Sequence, residues 1–108
     1  MEQLSIVEKK GANYILFELS GSCNSYTVTE FQTKVYSAIA ENNLVLDMTH
    51  VLDVDSTGVG IILAGFNDGI EKGHKIYLMN MSSTAQKAMN DTGFLEAFPI
   101  IQSVTEVE

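Results

Sequence analysis

Asp55-Ser56-Thr57-Gly58-Val59-Gly60 sets two hydroxyls between an aspartate and two glycines, directly ahead of a run with helical apolar spacing. That order places Ser56 at the mouth of a helix. A helix start has unpaired N–H groups and partial positive charge, so a phosphate is well accommodated there. Ser56 therefore reads as a phosphoryl acceptor. Gaining roughly −1.5 to −2 charges near neutral pH would make it a switch. Thr57 is the second-choice acceptor. Serine is also a favoured helix cap, which by itself contributes about 1 kcal/mol and needs no further role. Capping does not explain Gly58 and Gly60. Two glycines in a first helical turn cost up to ~2 kcal/mol relative to alanine. In return they let another backbone, or a nucleotide phosphate, come close.

Other chemistries fit less well. Asp53-Val54-Asp55-Ser56-Thr57 resembles the D-x-D-x-T signature of haloacid-dehalogenase-type phosphatases, in which one aspartate is the nucleophile and the other the general acid. That chemistry needs the first aspartate at the end of a buried strand, with a magnesium site and a downstream lysine on a longer chain. Here the buried run ends at Asp47, and only Val51-Leu52 precede Asp53, so the match reads as accidental. Asp47, His50, Asp53 and Asp55 follow no established metal-loop spacing, and the three aspartates read as solvated acids. His50 and His74 have no cysteine or serine nearby in a catalytic pattern and read as surface residues. No catalytic residue, cofactor or metal is expected.

The chain has 108 residues, 45% hydrophobic and 19% charged, which suits one domain with its own core. Fourteen acids oppose six lysines, there is no arginine, and the net charge is −8. Nucleic acid and anionic membranes are unsuitable partners for such a surface. Without arginine the chain also lacks the bidentate clamp usual for phosphate ligands. Cys23 is the only cysteine, consistent with a reducing cytoplasm. Residues 1–5 show no secretory leader, and no apolar run is long enough to span a bilayer.

The elements that must position Ser56 follow from periodicity. Leu4, Ile6 and Val7 suggest a strand, Lys9 to Ala12 a turn, and Tyr14 to Leu19 a second strand in a hairpin. Gly21 to Ser25 reads as a loop. Thr27-Val28-Thr29-Glu30 has the form of a capping box, with Tyr26 and Phe31 spaced as a hydrophobic staple. The helix behind it carries Val28, Phe31, Val35, Ala38 and Ile39 on one face, and Asn42-Asn43 ends it. Leu44-Val45-Leu46 reads as a strand buried on both faces, and His50 to Val54 as a connection. A second helix is predicted from Thr57 to Glu71, with Val59, Ile62, Leu63, Phe66 and Ile70 as its apolar stripe and Gly73 as its C-cap. Gly65 within it marks either close packing or partner approach. Lys75 to Met79 reads as a strand. Ser83-Thr84-Ala85-Gln86 reads as a capping box opening a short helix that Gly93 stops. Phe94, Leu95 and Phe98 read as core anchors, Met48, Met79, Met81 and Met89 as core filling or, where exposed beside Ser56, as an adaptable binding face, Ile100-Ile101 as a last strand, and Thr105 to Glu108 as a frayed acidic tail. This order implies an α/β fold: a mixed sheet of about four to five strands with helices mainly on one face.

In that order, Leu44 to Asp47, Asp55 to Gly60 and Gly73 before a strand resemble the STAS domain of bacterial anti-sigma-factor antagonists. Asn90-Asp91-Thr92-Gly93-Phe94 is similar to the family's x-x-Thr-Gly-Leu segment. The resemblance covers nearly the whole chain, 1–108, as one STAS domain. It implies a non-enzymatic protein that binds an anti-sigma factor with serine kinase activity and so frees a sigma factor. It also implies that the kinase phosphorylates Ser56 and that a serine phosphatase restores the hydroxyl. Asp55, Ser56, Thr57, Gly58, Gly60 and Asn24 would meet the partner. The family's acidic pair in the early loop is replaced here by Ser22 and Asn24; the alternative is that Asn24 and Ser25 merely make the turn before Thr27. A constitutive STAS scaffold in a signalling or transporter complex is the rival reading.

Overall fold

The computed structural model describes residues 3–108, so Met1 and Glu2, part of the segment read for a leader, lie outside it. Five strands form one sheet in the order β1-β2-β3-β4-β5, with β1 (Leu4–Lys10), β2 (Ile15–Cys23), β3 (Leu44–Val54), β4 (Ile76–Met79) and β5 (Ile100–Ile101). β1 runs antiparallel to β2, and the remaining neighbours are parallel. Helices α1 (Val28–Glu41), α2 (Ser56–Lys72) and α3 (Ser83–Asn90) provide the crossovers. This is the expected α/β mixed sheet.

Two cores lie on the two faces of the sheet. Phe17, Leu44, Leu46, Ile76 and Leu78 point into the larger one, where Phe31, Val35 and Ile39 of α1 and Ile62 of α2 meet them. On the reverse face Leu16, Val45, Tyr77, Met79 and Ile101 pack with Val107. The alternation of β2 and β4 side chains between these two clusters is the period-two signature of strands. Met48, Met79 and Met89 are buried core filling. At Gly65 a Cβ would come within 2.7 Å of Val35, so α1 and α2 pack closely there.

Several local expectations are corrected. β1 continues through Lys9 and Lys10, and β2 runs on through Gly21, Ser22 and Cys23. Gly21 has φ 101°, and a Cβ there would collide with the Gln3 carbonyl. β3 runs to Val54, so His50 to Val54 is strand. Thr27 makes no side-chain cap to α1. Its Oγ1 donates to the Ser22 carbonyl at 2.9 Å and accepts from the Asn24 N–H at 3.0 Å. Tyr26 is 80% exposed and staples nothing. α3 is capped one residue earlier than expected, by Ser82, whose Oγ accepts from the Ala85 N–H. Phe94 and Ile70 are exposed, while Phe98 is buried. The end of the chain is a 3-10 turn, Val104–Glu106, closed by a Ser103/Glu106 capping box, and Val107 is buried.

Candidate functional site

The start of α2 is built by Asp55. This residue is extended (φ −90°, ψ −178°) and is the helix N-cap. Its Oδ1 accepts from the N–H groups of Thr57 at 2.9 Å and Gly58 at 3.1 Å. Its Oδ2 accepts from the Ser25 N–H at 3.3 Å, and its own N–H donates to the Cys23 carbonyl at 3.0 Å. One side chain thus fixes the helix start and ties it to the loop that follows β2. Ser56 is the first helical residue, is exposed, and its hydroxyl has no hydrogen-bond partner among the described residues. Thr57 is also exposed. The cap is therefore aspartate, and two of the N–H groups available to an anion at this tip are already taken.

The two glycines separate in role. A Cβ on Gly58 would lie 2.7 Å from Cys23 Sγ and 2.8 Å from the Cys23 carbonyl, so internal packing against β2 accounts for this glycine. A Cβ on Gly60 would meet nothing within 4 Å, and Gly60 is exposed. Asn24 is half-buried, and its Oδ1 accepts from the Tyr26 N–H at 2.9 Å, an Asx turn that shapes the loop before α1. Through Ser25 that loop reaches Asp55.

A shallow groove of about 380 Å³ adjoins Ser56. Val54, Val59 and Leu63 line one side, and Ala88, Asp91 and Thr92 line the other. That second wall was missed in the sequence, where only the Thr92-Gly93 dipeptide pointed to it. Tyr26, misread as a staple, stands in the Asp55-linked loop as an exposed aromatic of the kind enriched at binding surfaces. Asp53, Asp55 and Asp91 make the region acidic, and Lys87 is held by Asp91 at 2.9 Å. Burial, then the carboxylates of Asp55 and Asp53, pushes the Cys23 thiol up to about 12.

Asp53 sits near the end of β3, where the phosphatase-like pattern would require it, contrary to the sequence reading that placed it in a loop. Asp55, however, has both carboxylate oxygens committed to backbone N–H groups. Among the described residues no three His, Cys, Asp or Glu side chains are grouped to hold a metal. His50 is exposed, whereas His74 is half-buried with Nδ1 2.6 Å from the Ile39 carbonyl. No helix among the described residues is long and apolar enough to cross a membrane.

The STAS domain profile matches residues 3–107. This chain belongs to the STAS domain family. Several solved structures share the fold at low identity. An anti-sigma factor antagonist from Mycobacterium paratuberculosis is 18% identical with a TM-score of 0.78, over 95% of this chain and 89% of that one. SpoIIAA, an anti-sigma factor antagonist solved in its unphosphorylated form, is 19% identical with a TM-score of 0.78, over 94% and 90%. SLC26A9 is 15% identical with a TM-score of 0.69, over 92% of this chain but only 19% of its own length. At such identities the likeness establishes the STAS fold alone.

Proposed function

We propose that this STAS domain is a cytoplasmic, non-catalytic anti-sigma-factor antagonist whose binding is switched by phosphorylation of Ser56. The observation that carries this reading is the exposed Ser56 hydroxyl, without a hydrogen-bond partner among the described residues, on the tip of α2 beside a largely apolar groove. The partner is an anti-sigma factor with serine kinase activity, and a serine phosphatase resets the site. Asp55, Thr57, Gly60 and the Asn24 loop frame the contact, and Gly58 lets the helix start seat against Cys23. A partner surface fitted to a neutral hydroxyl would meet a phosphate with desolvation cost and repulsion. Asp53, Asp55 and Asp91 already supply negative charge, which adds to that repulsion.

The test is incubation with the cognate kinase and ATP, followed by peptide mass spectrometry and a binding assay. Phosphate is expected on Ser56, with none in Ser56→Ala, and Ser56→Asp is expected to lose the partner. Undiminished binding by Ser56→Asp would sink the switch and favour a constitutive scaffold. The likeness to SLC26A9, in which the matched part is 19% of the chain, is what keeps that scaffold reading in view.

A further inference from the structure

We propose that a trough between α2 and residues 94–99 binds a monomeric aliphatic carboxylate, its head group at Lys75 and its tail on Phe66 and Phe98. Two adjoining cavities form the trough, one of about 450 Å³ and one of about 210 Å³. They share Phe66, Ala97 and Phe98, and the two phenyl rings lie 4.7 Å apart at 50°. Beyond this shared floor, Ile70 lines one end and Phe94 the other, and these two are 65% and 59% exposed. Apolar side chains so placed leave a concave surface of the size that small ligands occupy.

Charge gives the trough a direction. Five of the six lysines are ion-paired, to Glu18, Glu41, Glu8, Asp68 and Asp91. Lys75 has no ion pair among the described residues, and it lines the larger cavity beside His74. Its backbone is held firmly: the Lys75 N–H donates to Asn43 Oδ1 at 2.9 Å, and its carbonyl accepts from the Leu44 N–H at 2.9 Å. On a chain of net charge −8, this is, among the lysines of the described residues, the unneutralised cation that an anionic head group would find next to an apolar wall. Beyond Leu63 the trough meets the Ser56 groove, where Asp55 and Asp91 add negative charge to an apolar lining, so the head group belongs at the Lys75 end and the tail points towards α3. Glu96 also lines the larger cavity without pairing to Lys75, and it opposes the anion.

The full chain, labelled with nitrogen-15, is titrated with sodium decanoate below its micelle-forming concentration. Saturable amide shifts are expected at His74, Lys75, Phe94, Ala97 and Phe98. Each two-carbon extension from hexanoate to decanoate is expected to tighten binding roughly tenfold, the yield of two buried methylenes. Lys75→Gln is expected to weaken decanoate by about threefold to fivefold, the upper part of the range of an exposed ion pair, while Lys75→Arg retains it. Glu96→Gln is expected to tighten it. Ala97 is exposed, so Ala97→Glu should fold normally and abolish binding. Ser56→Asp should leave it unchanged, which separates this site from the phosphorylation reading. Equal binding of decyltrimethylammonium, unsaturable shifts, or an unaltered affinity in Lys75→Gln would each overturn the proposal. Binding to phosphatidylglycerol vesicles without binding to decanoate would also overturn it, since a membrane surface would then be the ligand.

Discussion

Gly58 and Gly60 occupy the same turn of α2, yet substitution should act on them in opposite directions. At Gly58 a methyl group would press on Cys23 Sγ and on the Cys23 carbonyl, and a backbone atom cannot swing away. Gly58→Ala is expected to destabilise the fold by about 1–3 kcal/mol, the usual cost of overpacking. Gly60→Ala meets open space and is expected to stabilise by up to about 1 kcal/mol through helix propensity. Urea unfolding midpoints of the two variants check this; a stable Gly58→Ala protein would refute the packing account. The spacing of these glycines was legible, but their division of labour was not, because nothing local announces that β2 ends beneath α2. Cys23 carries a second expectation. Its native pKa is raised from 9.0 to about 12, so between those values the unfolded chain binds fewer protons than the native one. Stability must then fall as pH rises through that window. Cys23→Ala is expected to be less stable overall but to show a shallower decline with pH, read from denaturation at successive alkaline pH values.

The helices and the buried strand centres were legible because their periodicity is produced by burial itself: Phe31, Val35 and Ile39 repeat along α1, and Leu44-Val45-Leu46 is covered on both faces. The second half of β3 was not. After Met48 its buried residues are Val51 and Val54, a spacing of three that no strand template matches. Register shifts in the pairing with β2, between Glu18 and Ser20 and between Gly21 and Ser22, break the alternation. β4 reaches only as far as Asp47, and the start of α3 covers the edge beyond it. There the Ser82 N–H donates to the Met48 carbonyl and Ser82 Oγ donates to the Val51 carbonyl. The caps were misplaced for a related reason. Thr27 and Ser83 have suitable neighbours in sequence, but Thr27 bonds to the β2 exit and Ser82 reaches β3, contacts set by tertiary structure. Asp55→Ala is expected to cost about 1 kcal/mol or somewhat more, since it removes the cap of α2 and the bond from Ser25. Asp55→Asn should keep most of that stability, because an amide oxygen can cap equally well. Thermal unfolding distinguishes the two, and equal losses would mean that charge rather than capping matters at this position.

Across the molecule, the STAS sheet divides its labour between faces and ends. The larger core joins all three helices to one face, and the reverse face is closed by the C-terminal segment through Val107. The Val107 carbonyl also accepts from Asn13 Nδ2, and the Glu108 N–H donates to the Tyr77 hydroxyl. Ser56 and Thr57 at the tip of α2 are exposed outside both cores, and the geometry there is held by Asp55 rather than by Ser56. A charge added to Ser56 should therefore act on recognition and leave the architecture in place. The helix dipole favours an anion there by about 0.3–1 kcal/mol. Repulsion from Asp53, Asp55 and Asp91 opposes it by a comparable amount at exposed separations. Because Asp55 already holds the Thr57 and Gly58 N–H groups, a phosphate has little new hydrogen bonding to gain without displacing that cap. Ser56→Asp is accordingly expected to unfold within about 1 kcal/mol of the parent. Its amide shifts should change only around residues 22–27, 53–60 and 88–92. Added salt should narrow the remaining difference, since exposed charges are screened over about 10 Å at 0.1 M ionic strength. A large stability loss, or shifts spreading to β4 and β5, would mean that the site is wired into the fold and that a change in partner affinity could not be assigned to the surface.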